Sequence, residues 1–380
     1  MRAAGAGYHT IVGRAEERDG PRAPRARREW RPDFRLITCA CRIDPIGVLR
    51  RENVMKAMLL LLAGALCLAS AHGAAAQAGA TPAALSTRLI TLGTRGGPLP
   101  TRDRAQSSNL LVVNGALYLI DAGDGATRRI VQSGNDFRKV GKIFITHPHS
   151  DHTAGLATLM ASQWEFQRAE PTDIYGGGVE ALVKGALAYL TPNAEIRWAE
   201  GKQRPMEATF HGHDVAAGVI FKDANITVTA AENTHFNFQP GTPPYGKYKS
   251  FSYRVETPGR TFLFTGDTGP SDAVVALARG ADVLVTEVTS VDDGIDLFRR
   301  TGAWQAKTAD EQTGWVRHMK EEHMSPKQVG ELAAKAGIKT IVMTHLGPSV
   351  RPNDDYQRYV DEAKTAFSGQ IVVAKDLMEF

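Results

Sequence analysis

The sequence predicts an α/β protein arranged as a four-layer αββα sandwich, with two sheets packed face to face and helices on both outer surfaces. Short runs rich in Val, Ile, Leu and Thr recur ten times after residue 87 and have the length and composition of strands. Five stretches between them carry the 3.6-residue apolar period of helices. The strands come in groups of two or three before each helix, and this grouping favours paired sheets over strict β-α alternation in a doubly wound parallel sheet.

In chain order the strand segments are 88–92, 109–113, 117–120, 142–146, 226–230, 250–256, 261–264, 283–286, 340–344 and 371–374. Helical spacing falls at 153–168, 179–190, 271–278, 325–336 and 354–367, with Thr153 placed to cap the first of these. After the Ala/Gly/Pro-rich stretch 77–86 no second low-complexity break follows, so residues 77–380 read as one domain. A composition of 43% hydrophobic and 23% charged residues excludes collagen-like, coiled-coil and wholly disordered classes.

Residues 55–76 read as a secretory signal peptide. The apolar run Ala57–Ala71 is shorter than the roughly 20 residues that span a bilayer. It follows Arg50, Arg51 and Lys56 and precedes the small-residue site Ala74-Ala75-Ala76-Gln77. The expected location is therefore periplasmic or secreted, with no stable membrane anchor. Residues 1–54, rich in Arg, Pro and Gly, read as a disordered extension or as a misassigned start ahead of Met55. Cys39, Cys41 and Cys67 all precede the cleavage point, which removes disulfides, thiolate ligands and a cysteine nucleophile from the mature chain. The basic charge is also concentrated there. Residues 1–76 carry 13 Lys and Arg against 7 Asp and Glu, leaving 32 against 34 in the remainder. A slightly acidic body is not that of a generic nucleic-acid binder.

The chemistry concentrates in Thr146-His147-Pro-His149-Ser-Asp151-His152-Thr-Ala-Gly155. A strand ends at Thr146, and in extended chain His147 and His149 point the same way. Asp151 and His152 fall at the turn into the next helix, where they can face a second centre. Imidazole and carboxylate suit Zn²⁺ or a similar divalent ion. So short a motif cannot close two metal sites alone, and suitable partners follow later strands: His235 after 226–230, Asp267 after 261–264, and His345 after 340–344.

With these residues the chain resembles the metallo-β-lactamase-fold hydrolases over nearly all of its mature length. The resemblance implies His147, His149 and His235 at one metal, Asp151, His152 and His345 at the other, and Asp267 bridging them. Leu92-Gly-Thr-Arg-Gly-Gly97-Pro, Leu119-Ile-Asp121-Ala-Gly123-Asp-Gly125 and Phe264-Thr-Gly-Asp267-Thr are similar to the ribonuclease Z and arylsulfatase-like branch. So is Glu287 paired with His323 ahead of Ser325-Pro-Lys-Gln. In that branch Asp121 would orient a ligand. Thr286 stands where the ribonuclease Z pattern has a histidine, and no tRNA-gripping arm is read between His152 and His235.

The resemblance implies two divalent ions, zinc first and manganese as the alternative, and attack by metal-bound hydroxide on a small ester, either a phosphodiester or a sulfate ester. Asp151 would orient or deprotonate the water, and His323, positioned by Glu287, would protonate the leaving group. Alternatives are a hydrolase of a lactone, amide or xenobiotic aromatic compound, or a noncatalytic metal or ligand binder. The partners expected are a small-molecule ester and no nucleic acid, with a homodimer admissible. His211 and His213 read as a surface loop, Trp164, Met206 and Trp315 as packing residues. The loop 237–249 reads as a substrate flap offering Phe236, Phe238, Tyr245 or Tyr248 to a pocket.

Overall fold

A computed structural model describes residues 86–201, 204–347 and 354–380. The leader, the extension before it and the three cysteines lie outside the described residues. Strands β1 (Thr87–Gly93), β2 (Ser108–Val113) and β3 (Ala116–Ile120) lead to helix α1 (Ala126–Gln132), and β4 (Val140–Ile145) to α2 (Ser150–Thr153) and α3 (Leu156–Glu165). Then come β5 (Thr172–Gly176), α4 (Val179–Ala199), β6 (Phe210–Asp214), β7 (Gly218–Lys222), β8 (Thr227–Glu232), β9 (Phe251–Glu256) and β10 (Thr261–Phe264). The chain continues through α5 (Asp272–Ala278), β11 (Val283–Val288), α6 (Val291–Arg300), α7 (Ala309–Glu321) and α8 (Pro326–Ala336). It closes with β12 (Thr340–Leu346), α9 (Gln357–Lys364), β13 (Gln370–Val373) and β14 (Met378–Glu379).

These strands form two seven-stranded sheets, ordered β14-β1-β2-β3-β4-β5-β6 and β13-β12-β11-β10-β9-β8-β7. In each, an antiparallel half passes into a parallel half, β3 to β6 in the first sheet and β10 to β13 in the second. Period-two alternation explains why the run Leu110–Val113 of β2 is apolar throughout: Leu111 and Val113 face the other sheet, while Leu110 and Val112 face the helices. The inter-sheet core gathers Tyr118, Phe144, Phe251, Tyr253, Phe262 and Phe264. One outer core packs α3 and α4 on the first sheet through Leu159, Trp164 and Val183, and the other packs α5, α8 and α9 on the second through Val274, Leu332 and Tyr359. Each such leucine or valine taken from water contributes about 1.5–3 kcal/mol.

The four-layer sandwich stands as expected, and Trp164 and Met206 are core residues. Four departures stand out. The helix expected over 153–168 is two helices. Its first turn begins at Ser150 with His149 as the preceding cap residue, and the Thr153 hydroxyl donates back to the His149 carbonyl at 2.9 Å instead of capping. His211 and His213 lie in β6, not in a loop, opposite Asp173 and Tyr175 of β5. Strands β6 and β7 escape sequence reading because each ends a sheet and carries largely exposed or half-buried side chains. Helix α4 runs on past Leu190, through Pro192, to Ala199. Among the described residues no helix is long and apolar enough to cross a membrane.

Candidate metal centre

Every residue of the two donor sets, with Asp121 and Glu287, leaves the carboxyl end of a strand or the loop beyond it. Asp121 follows β3, His147 to His152 follow β4, His235 follows β8, Asp267 follows β10, and Glu287 and His345 close β11 and β12. Open α/β sheets place their ligands at this edge. Two glycines let the loops meet: a Cβ on Gly123 would lie 2.2 Å from the Asp151 carbonyl oxygen, and one on Gly155 2.3 Å from that of Gly123. Gly266 turns the chain into Asp267 at a φ of 58°, in the left-handed region that glycine tolerates.

His147 Nε2 and His235 Nε2 approach His149 Nδ1 at 3.0 and 3.1 Å. Their other ring nitrogens are engaged. His235 Nδ1 donates to the Glu322 carbonyl at 3.0 Å, and His147 Nδ1 lies 3.2 Å from the Thr146 hydroxyl. The converging atoms therefore carry the lone pairs. Burial holds His147 and His149 below the ordinary imidazole value and takes His235 down to about 3, so all three are neutral.

A second group forms alongside from Asp151, His152, Asp267 and His345, all buried and with donor atoms within 4.8 Å of one another. His152 Nδ1 donates to Asp121 Oδ2 at 2.8 Å, which turns Nε2 inward. Asp121 itself is fixed by the backbone N–H of Thr146 at 2.7 Å and by the Thr146 hydroxyl. His345 adopts a φ of 40°, a strained conformation that sets its ring against Asp151 Oδ2 at 3.1 Å. Burial opposes ionisation of Asp151 and Asp267, but His152 and His345 outweigh it and hold both carboxyls below their usual value.

Asp267 joins the two groups. Its Oδ1 lies 3.2 Å from both His152 Nε2 and His345 Nε2, and its Oδ2 lies 3.9 Å from both His147 Nε2 and His235 Nε2. His152 Nε2 and Asp267 Oδ1 are nevertheless buried without a hydrogen-bond partner among the described residues. Buried polar atoms are rarely left so. Two sets of nitrogen and oxygen donors sharing one carboxylate fit two divalent cations of the zinc type.

Beside them, His323 sits in the link between α7 and α8, where the Ser325 cap with Gln328 fixes the start of α8. His323 Nδ1 donates to Glu287 Oε2 at 2.7 Å, and Glu287 Oε1 accepts from the Thr268 N–H at 2.7 Å. Burial pulls the His323 pKa down, but the Glu287 carboxylate more than offsets it, and the value rises to about 9. Burial raises Glu287. Thr286, in place of a histidine, donates to the Glu287 carbonyl and does not reach His323.

A cleft of about 700 Å³ opens over these groups. Its walls differ from expectation. Of the flap residues Phe236 packs on the rings of His147 and His149, but the cleft is walled by Pro98, Leu99, Leu297, Phe298, Trp315 and Met319. Trp315, expected as packing, faces the cleft. Arg95 and His318 also line it, and sequence reasoning missed both. Arg95 was legible only as part of the Gly-Thr-Arg-Gly-Gly turn, and His318 lies on a helix whose side chains are all at least partly exposed.

Fold and site together define a metallohydrolase class: a four-layer sandwich with a histidine and carboxylate cluster at the strand ends. The family model of the beta-lactamase superfamily domain matches residues 117–346, and the chain belongs to that family, in its ribonuclease Z-like branch. The chain is 29% identical over 292 residues to ribonuclease Z of Mycobacterium bovis (strain BCG / Pasteur 1173P2), covering 76% of this chain and 96% of that one. It is 30% identical over 291 residues to ribonuclease Z of Mycobacterium sp. strain KMS, covering 76% and 94%. Among solved structures, the metallo-beta-lactamase fold protein YhfI from Bacillus subtilis superposes with a TM-score of 0.54 at 18% identity, covering 77% of this chain and 98% of that one.

Proposed function

We propose that this chain is a dinuclear metal-dependent phosphodiesterase, with His147, His149 and His235 holding one ion, Asp151, His152 and His345 the other, and Asp267 bridging. The observation that carries the proposal is Asp267, whose two oxygens face two separate sets of inward-turned imidazoles. Two divalent ions bound there would supply a water acidified toward neutrality and electrophilic contacts to the ester oxygens. The chain's own groups do the rest. Asp151, fixed by the Gly97 N–H at 2.8 Å, takes the proton of the attacking water. The water oxygen bonds to phosphorus, the P–O bond to the leaving group breaks, and His323 Nε2 gives the departing oxygen its proton. Glu287 holds His323 protonated and oriented for that transfer.

The ribonuclease names of the relatives support a phosphorus centre over a sulfate ester. They also favour a second reading, RNA as the substrate, against the small-molecule ester expected from the sequence. Zinc is the first choice of ion on donor chemistry. Export through the leader at residues 55–76 is part of the same proposal and rests on the sequence alone.

The test is hydrolysis of a phosphodiester and a sulfate ester that share one nitrophenol leaving group, by zinc- or manganese-loaded protein, with His149→Ala as control. Cleavage of the phosphodiester that the substitution abolishes is the expected result. Failure to cleave either ester with two ions bound would sink the proposal and turn attention to lactones, amides, aromatic compounds or plain ligand binding.

A further inference from the structure

Helices α6 and α7 are inserted between β11 and α8 and contribute to none of the three cores. Their apolar side chains Leu297, Phe298, Trp315 and Met319 are half-buried and line the cleft over the metal centre. A helix pair added to a fold without joining its core has its apolar face free for a ligand. The face is rigid. The Trp315 indole meets Phe298 edge-on with ring centroids 5.2 Å apart and Trp304 at 5.7 Å, and lies so close to Gly294 that a Cβ there would stand 2.5 Å from it. Pro98, Leu99 and Pro100 also line the cleft, Leu99 being 47% exposed.

Arg95 is the only lysine or arginine lining this cleft among the described residues. Its side chain is 4% exposed and donates one hydrogen bond, from Nε to the Leu99 carbonyl at 3.3 Å. Among the described residues its terminal guanidinium nitrogens meet no acceptor. A guanidinium whose terminal nitrogens pair with none of the described residues and open on the cleft can grip one anionic oxygen pair.

Resting on the phosphodiesterase reading above, we infer that the substrate is a small ester with one bulky apolar or aromatic arm, seated against Leu297, Phe298, Trp315 and Met319, whose single charged phosphoryl group is gripped by Arg95. A polynucleotide presents a charge at every residue and calls for a row of cations. Beyond the ions and His323 at its floor, this cleft offers one arginine and an apolar wall.

The experiment uses the full zinc-loaded chain and two phosphodiesters that share a nitrophenolate leaving group, one with a methyl and one with a 2-naphthyl second arm. The naphthyl ester should have a kcat/KM at least about tenfold higher, mostly through KM. Trp315→Ala and Met319→Glu should each cut that ratio to about threefold or less. The ratio is read within each variant, so a general loss of activity cancels. Calorimetry with naphthyl methylphosphonate reads the cleft even if no ester turns over. Arg95→Gln should weaken its binding at least about tenfold, with partial rescue in Arg95→Lys. Equal kcat/KM for both esters, with turnover intact, would overturn this inference and leave the phosphodiesterase reading standing. So would a short single-stranded RNA that binds more tightly than the phosphonate. No turnover, with tight and Arg95-dependent phosphonate binding, would uphold the cleft and remove the phosphodiesterase reading.

Discussion

Replacing Asp121 by Asn tests whether the second donor set is tuned by hydrogen bonding from outside it. The carboxylate accepts from the Thr146 N–H at 2.7 Å, from the Thr146 hydroxyl at 3.0 Å, and from His152 Nδ1 at 2.8 Å. Asparagine keeps the shape and, with its oxygen on Thr146, turns an NH₂ toward His152. A donor then faces Nδ1–H, so the ring moves its proton to Nε2 and loses the lone pair that faces Asp267. Loss of such a partner typically costs 10–100-fold in metal affinity, or about 1.4–2.8 kcal/mol. Competition titration against a zinc chelator should show one of two ions weakened by that factor and the other retained. Stability of the metal-free protein should fall by no more than about 1 kcal/mol, since the shifted tautomer keeps a hydrogen bond to the asparagine and its Nε2–H meets Asp267 Oδ1 at 3.2 Å. An unchanged affinity for both ions, with the variant folded, would refute the tautomer argument.

His323→Ala should slow phosphodiesters with alkoxide leaving groups by about 10²–10⁴-fold and nitrophenolate esters far less, and equal losses would remove it as the acid. Because His323 is raised to about 9, its protonated pair with Glu287 stabilises the fold fully below the ordinary value of 6.5. That stability should be lost as pH rises through about 9, and the alkaline limb of kcat/KM for alkoxide substrates should fall there too, as chemical denaturation and rate profiles against pH will show. Gly123→Ala drives a Cβ into the Asp151 carbonyl, and should lower stability by about 1–3 kcal/mol and disturb ion binding, read by urea unfolding. Mass spectrometry of the chain from its native host should find an N-terminus at Gln77, and a mature chain retaining Arg25 or Trp30 would defeat the leader assignment.

Runs rich in branched, aromatic and threonine residues were legible as strands; they are β1 to β4 and β8 to β13, and all but β8 and β13 are buried on both faces. The site was legible for a related reason. His147, His235, Asp267 and His345 each interrupt or follow such a run with a polar residue, and the close-packed histidines of 147–152 cluster within a single turn. Much of what escaped is what burial does not mark, although β5, buried at Thr172, Ile174 and Gly176, escaped as well. Strands β6 and β7 present mixed, exposed faces, and α6 and α7 carry their apolar residues toward a cleft instead of a core. Trp315 therefore read as packing, and Arg95 as one more residue of a glycine turn. Neither role depends on spacing along the chain, only on which loops the sandwich brings to one edge.

Each donor set draws on both halves of the sandwich. His147 and His149 come from the first sheet and His235 from the second, while Asp151 and His152 come from the first and Asp267 and His345 from the second. Ions bound there would act as rivets through the seam, and neither rivet could close before folding brought the two sheets together. At a free ion concentration one hundred times the dissociation constant, each would add about 2.7 kcal/mol to the cohesion of the sheets. Metal supply would then set the lifetime of the chain against proteases as well as its turnover, and scarcity would clear the protein from its compartment instead of leaving it there idle.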